Sequence, residues 1–322
     1  VAINGFPLSH VAGVLPRSLA ALSAGVHVVI PTTGLFRNRD VIRNYWKLVE
    51  KYHATVLSGV STVLTALTEV PLAGADISTL RYARTGAAPL TPELAARFTK
   101  LFGLHIYETY GMTEMVGTST VTPPGLKREA GCVGLRQPYS QMRVVALDEQ
   151  GGASDRVQSV GQSGMVQFKA PNVFAGYLNP EDNHHAFSPD GWLNTGDLGY
   201  IDDQECLHLS GRAKDLIIRG GHNIDPRVIE DALDSHPAVQ TSAAVGAPDD
   251  YAGELPVAYV TLVPGAKVQE SELLDWVRER VDEPPARPRW VQILPAMPLT
   301  NVGKIYKPEL RELAKQTMLQ AK

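Results

Sequence analysis

Hydrophobic and polar positions recur along this chain at two different periods. In the first third, apolar runs at Val26 to Ile30, Ala54 to Leu57 and Leu104 to Tyr107 read as strands. Between them Val41, Ile42, Tyr45, Leu48, Val49 and Tyr52 recur at helical spacing, which predicts one helix over 38–52. Thr91-Pro92-Glu93 opens another helix, with a hydroxyl at the N-cap, a proline where no N–H is needed and an acid in the first turn. Strands alternating with helices predict a largely parallel sheet covered on its faces. From about Lys127 the texture changes to short extended runs, Arg143 to Leu147, Met165 to Lys169 and Cys206 to Leu209, which predict a small antiparallel β unit. After Gly211 the pattern is mixed: a helix from Pro226 to Leu233, a strand from Val257 to Val263, a helix from Ser271 to Arg280, a strand-like Trp290 to Leu294 and a last helix from Pro308. Glu283 to Pro288 is a Pro-rich internal loop. The main boundary is placed at Ser210 to Asp215, and no internal repeat is visible.

The most apolar segment, Val11 to Ile30, contains Pro16, Arg17 and His27 and ends in Pro31-Thr32-Thr33-Gly34, so it reads as a buried helix and then a strand rather than a membrane span or signal peptide. At 322 residues the chain has room for about two domains. Its 44% hydrophobic and 20% charged residues exclude disorder, collagen and coiled coil as the main architecture. A net charge of −4 provides no global positive field for nucleic acid or an anionic membrane, so any anion site must be local. Cys132 and Cys206 lack metal-ligand or CxxC spacing and fit buried thiols in a reducing cytosol. The adjacent His184 and His185 diverge on a helix or strand and read as surface residues. Val1 opens the chain inside an apolar stretch, which reads as a piece of a longer protein.

Walker-type, G-x-G-x-x-G, H-E-x-x-H and G-x-S-x-G motifs are absent. Five polar, glycine-rich loops stand instead at the ends of expected strands: Thr85-Gly86-Ala87-Ala88-Pro89-Leu90, Tyr107-Glu108-Thr109-Tyr110-Gly111-Met112-Thr113-Glu114, Asn194-Thr195-Gly196-Asp197, Gly211-Arg212-Ala213-Lys214-Asp215 with Gly220-Gly221-His222-Asn223, and Asn301-Val302-Gly303-Lys304-Ile305. In a parallel α/β sheet the first two converge on one crevice. In this order the five resemble the core motifs of the adenylate-forming superfamily, which includes acyl-CoA synthetases, luciferase and peptide-synthetase adenylation domains. The opening Pro7-Leu8-Ser9-His10-Val11-Ala12-Gly13 is similar to that superfamily's P-L-x-H-x-x-G segment.

The resemblance implies an α/β plus α+β fold: the α/β part of a large adenylating domain over 1–126, its β subdomain over 127–211 and a mobile α+β domain over 212–322. It implies an acid–thiol ligase that joins a carboxylic acid to AMP, releases pyrophosphate and passes the acyl group to CoA, with ATP, Mg²⁺ and CoA as reactants. Thr113 would bond the α-phosphate, Glu114 would bind Mg²⁺, and Tyr110 would stack on adenine beside Gly86, Ala87, Ala88 and Gly111. Without the Gly-x-Thr-Glu that follows it, Tyr110 would more often be an ordinary buried aromatic. Asp197 would accept both ribose hydroxyls, with Arg212 as a second ribose contact. Lys304 would stabilise charge between carboxylate and phosphate, Lys214 would be the hinge, and Gly220-Gly221 would face CoA. His10 is either a gate of the acyl pocket or a satisfied core histidine. That pocket would be lined by His10, Gly59, Arg84, Tyr107 and Met115, and Arg84 could pair with a second carboxylate on a diacid or be a solvated strand-end residue.

The superfamily's phosphate-cradling loop lies upstream of the P-L-x-H segment, so this chain alone is expected to adenylate little. Gly164-Met165-Val166 departs from the usual Gly-Glu-[IL] without evident functional meaning. Two competing readings are an enzyme that loads a carrier protein or oxidises its adenylate, and a non-catalytic nucleotide- or acyl-binding remnant. The expected setting is cytosolic, without nucleic acid or membrane insertion, and compatible with a homodimer.

Overall fold

The computed structural model describes residues 1–88, 90–126, 131–148, 151–220, 222–300 and 303–320. The chain divides into two compact units, one formed by Val1–Thr195 with Gly199–Leu209 and the other by Gly196–Leu198 with Ser210–Lys322. The strands of the larger sheet are β1 (Ala2–Ile3), β2 (Val28–Val29), β3 (Val56–Ser58), β4 (Tyr82–Gly86), β5 (Ile106–Tyr110), β6 (Thr120–Val121), β7 (Cys132–Arg136), β8 (Gln141–Leu147), β9 (Ala153–Val157), β10 (Gly164–Lys169), β11 (Leu193–Ile201) and β12 (Leu207–Arg212). They follow the order β2-β1-β3-β4-β5-β6-β7-β12-β11-β10-β8-β9. The stretch from β2 to β5 is parallel. Antiparallel pairing begins at β6 and runs on through β7, so the two textures share one hydrogen-bonded sheet.

Helices Tyr45–Tyr52, Ser61–Thr68 and Pro92–Phe102 bury Tyr45, Trp46, Val49, Leu64, Leu67 and Phe98 against Ile3, Leu57 and Ala83 of the parallel strands. Thr91 caps its helix by accepting from the Leu94 N–H, and Gly103 ends it in the left-handed conformation at φ 68°. The single helix expected over 38–52 is two, Arg39–Arg43 and Tyr45–Tyr52. Asn44 breaks it by donating its side-chain amide to the Asp40 carbonyl, the local competition that makes Asn a poor mid-helix residue.

Segment 11–23 is helical throughout, with a π turn at Leu15–Leu19 around Pro16. It is not the buried helix expected: Val14, Leu19 and Leu22 are exposed, and only Gly13 is fully enclosed. Among the described residues no helix is long and apolar enough to cross a membrane. Cys132 and Cys206 are buried free thiols, and burial, with Cys206 close by, pushes the Cys132 thiol up to about 12. His184 and His185 are exposed on a short helical turn, where His184 lies 3.8 Å from Glu181.

The second unit is built on β13 (Ile217–Arg219), β14 (His222–Ile224), β15 (Val239–Asp249), β16 (Gly253–Leu262) and β17 (Val291–Ile293), in the order β14-β13-β16-β15 with β17 parallel to β16. Period-two alternation splits its sheet between two cores. Ala244, Ala258 and Val260 face helices Arg227–Asp234 and Glu270–Arg280, while Ala243, Val245, Val257 and Tyr259 face helix Lys307–Gln320.

Candidate active site

β4 and β5 run parallel with Arg84 opposite Tyr107 and Gly86 opposite Thr109. The Thr109 hydroxyl donates to the Thr85 carbonyl at 3.1 Å. A Cβ on Gly86 would come 2.5 Å from the Thr109 Oγ1 and 2.6 Å from its carbonyl oxygen, so this approach is open only to glycine. Ala87 follows at φ 69°, left-handed and therefore strained for a residue with a Cβ. Thr85 Oγ1 is buried without a hydrogen-bond partner.

The second motif begins inside a strand rather than in a loop, because β5 extends to Tyr110. The chain then turns through Gly111, whose Cβ would fall 1.9 Å from the Gly117 oxygen, into a single 3₁₀ turn, Thr113–Met115. That turn carries Thr113 outward, with Glu114 partly exposed beside it. Tyr110 is 8% exposed and packs 6.2 Å from Phe168 in a core with Met115, Val133, Val144 and Val166. Met115 is completely buried there, and its sulfur accepts from the Ser119 hydroxyl. Its neighbour Val116 is the exposed residue here.

A strap following β10 holds this turn at three points, none of which the sequence motifs indicated. The Asn172 side-chain amide donates to the Met115 carbonyl at 2.7 Å, the Phe174 N–H donates to the Glu114 carbonyl at 2.8 Å, and the Tyr177 phenol donates to Glu114 Oε1 at 2.7 Å. Asn183 fixes Tyr177 in turn, accepting from its N–H and donating to its carbonyl. Burial and the Glu114 carboxylate push the Tyr177 phenol up to about 12, which keeps it a donor. Among the described residues, Glu114 Oε2 carries no hydrogen bond, leaving one hard carboxylate oxygen uncommitted.

His10 caps the 11–23 helix, its Nδ1 accepting from the Ala12 N–H at 3.1 Å. Gly59 is buried and donates its N–H to the Arg84 carbonyl at 3.2 Å. Tyr107 is buried, with its hydroxyl accepting from the Gly125 N–H at 2.8 Å.

In the second unit, Arg212 Nε donates to Asp197 Oδ1 at 2.8 Å. Asp197 is 5% exposed and lies within β11, in a strand rather than the expected loop, where Gly196 at φ 74° permits a local kink. Lys304 belongs to the same group of charges. Burial and the Arg212 guanidinium draw its ammonium below the usual lysine range, and the Asp197 carboxylate opposes that. Its backbone is set by a tight turn in which the Thr300 N–H donates to the Lys304 carbonyl and the Lys304 N–H donates to the Thr300 hydroxyl. Lys214 is exposed on the 3₁₀ turn Ala213–Asp215, which Arg311 pins by bonding Asp215 Oδ1 at 2.6 Å and the Lys214 carbonyl at 3.3 Å. Gly220 is exposed at φ 56°, while Gly221, Pro89, Asn301 and Val302 lie outside the described residues.

Comparison with known proteins gives two family matches, "AMP-binding enzyme" over residues 1–178 and "AMP-binding enzyme C-terminal domain" over 228–304. The chain is 40% identical over 97% of its length to marinolic acid–CoA ligase of Pseudoalteromonas sp. strain SANK 73390, covering 47% of that protein. It is 37% identical over 83% of its length to sulfoacetate–CoA ligase of Cupriavidus necator, covering 50%. The ATP-bound structure of MatB from Rhodopseudomonas palustris superimposes with a TM-score of 0.86 at 30% identity, covering 98% of this chain and 60% of the other. The chain thus spans about half the length of the curated relatives it matches.

Proposed function

Since this chain belongs to the family of AMP-binding enzymes, we propose that it carries the adenylate-handling part of an ATP-dependent acid–thiol ligase. The observation that supports this most is the Thr113-Glu114 turn, held at three points by the 172–177 strap and placed beside the glycine-only approach at Gly86. An outward hydroxyl and a fixed carboxylate with a free oxygen suit a phosphate and the hard cation that accompanies it. In this reading Glu114 would hold Mg²⁺, which would supply positive charge against the phosphates. Thr113 donates to the α-phosphate, and Gly86, Ala87, Ala88 and Gly111 give the nucleotide a close backbone wall above Tyr110.

The reaction we propose has two steps. A carboxylate oxygen attacks the α-phosphorus, the bond to the β-phosphate oxygen breaks, and pyrophosphate leaves. A thiolate sulfur then attacks the acyl carbon and AMP leaves. Asp197 accepts the ribose hydroxyls, already oriented by Arg212, and Lys304 supplies positive charge as the two anions approach. Lys214 is the hinge for a change of state between the steps, and Gly220 faces the CoA arm. The CoA acceptor is taken from the names of the relatives, which are CoA ligases. The setting proposed is cytosolic.

The test is carboxylate-dependent ATP–pyrophosphate exchange and thioester formation by the protein carrying this chain. Lys304→Ala is expected to slow exchange by about 10²–10³-fold, the cost of one lost electrostatic contact. Exchange without any thioester on CoA would move the acceptor to a carrier protein. Saturable AMP binding with no exchange would replace the enzyme reading with that of a nucleotide-binding remnant.

A further inference from the structure

β4 alternates strictly, with Ala83 and Thr85 buried in the helix-covered core and Tyr82, Arg84 and Gly86 on the opposite face. Arg84 is not a solvated strand-end residue. Its Nε is buried without a hydrogen-bond partner, and its guanidinium carbon lies 5.4 Å from the centre of the Tyr82 ring. Arg17, from the π turn of the 11–23 helix, lies 5.5 Å over the Phe6 ring and close enough to Arg84 and Tyr82 for their charges to act on it. Burial, and next the Arg84 charge, push the Arg17 guanidinium down to about 10; burial likewise lowers Arg84. Tyr82 and Tyr107, in contact edge to face at 5.5 Å, are the titratable groups that favour these charges. Among the described residues, no carboxylate pairs with either arginine.

Two half-buried guanidiniums whose charges repel, with ring faces but no carboxylate partner among the described residues, are unfavourable unless something else compensates them. The compensating group must be anionic, and a guanidinium fork matches a planar carboxylate or a sulfonate. Gly86, on the same face two residues along β4, is about 6.6 Å farther up the strand. The backbone position from which Arg84 projects therefore lies about one short acyl chain away from where the adenylate would be held. We propose that Arg17 and Arg84 form the recognition site for a second anionic group on the acid substrate, so that this ligase activates an ω-carboxy or ω-sulfo acid rather than a simple fatty or aryl acid. This rests on the adenylating reading above and names its substrate class.

The experiment is calorimetric titration of this chain with acyl-sulfamoyl adenosines, stable mimics of acyl adenylates, over a graded series of chain lengths. Each length is made with a methyl, a carboxylate and a sulfonate end. The expected result is tighter binding of the anionic ends than the methyl end by about 10- to 100-fold, the range of hydrogen bonds to charged groups. Whether carboxylate or sulfonate leads assigns the substrate to dicarboxylic or sulfonic acids. In Arg84→Met the ratio is expected to fall to about one, and in Arg84→Lys to an intermediate value. Equal wild-type affinity for all three ends overturns the anion site and leaves the adenylating reading standing. Binding of none of the mimics overturns both. The wild-type comparison decides the matter even where a variant fails to fold.

Discussion

Asp225 lies beside Gly211, whose Cα would place a Cβ 3.0 Å from its Oδ1, and it accepts the Arg227 N–H at 2.9 Å. Burial raises its carboxyl to about 6 from the ordinary 3.8, against the opposing pull of Arg227 and Lys307. The native state therefore keeps this proton up to about pH 6, whereas the unfolded chain gives it up near 3.8. Between those values the native state binds more protons, so stability falls as pH rises; the loss is absent below 3.8 and complete above 6. At ~1.36 kcal/mol for each pH unit, the penalty at neutral pH is about 3 kcal/mol. Asp225→Asn keeps the oxygen that accepts from Arg227 and removes the charge. It is expected to stabilise the second unit by about 2–3 kcal/mol at pH 7, with the gain shrinking to within about 1 kcal/mol at pH 4. Hydrogen exchange of the β15 and β16 amides, corrected for intrinsic rates, reports that unit separately from the first. A difference that stays flat from pH 4 to 7, or an Asn variant less stable at pH 7, would refute the reasoning.

Tyr177→Phe removes the bond that orients Glu114 while keeping the ring against Phe174. It is expected to raise the Mg²⁺ concentration for half-maximal exchange severalfold with a stability loss under about 1 kcal/mol; an unchanged Mg²⁺ titration would count against the strap's role. Arg311→Ala frees the 213–215 turn by breaking its bonds to Asp215 and the Lys214 carbonyl. Both charges are partly exposed, so about 1 kcal/mol is expected, read as roughly fivefold faster amide exchange across that turn.

What could be read from the sequence was local chemistry. Thr91, Pro92 and Gly103 carry their helix boundaries in their own covalent structure. The break at Asn44 was hidden because Val41, Tyr45, Trp46 and Val49 keep the helical period on both sides of it. Motif residues Tyr107 to Tyr110 and Asn194 to Asp197 lie in strands because the sheet continues through them, which the polarity of those segments concealed. The clamp of Asn172 and Tyr177 on the Glu114 turn spans about sixty residues of chain, and Arg17 and Arg84 come within reach of each other's charge across a similar separation in sequence. Such pairings arise only from topology. A polar residue after β10 was the only hint of the first, and two unmatched arginines in otherwise apolar neighbourhoods the hint of the second.

The two thiols have a practical consequence. The chain has only Cys132 and Cys206, both enclosed by the β7–β12 strand pair and its surroundings, with Cys132 held almost entirely as the unreactive protonated form at neutral pH. Folded, this chain is thus already a silent background for maleimide labelling. A single cysteine introduced at an exposed position such as Lys214 would take a spin label or dye selectively, with no need to strip the natural sulfurs and disturb the sheet they help to fill.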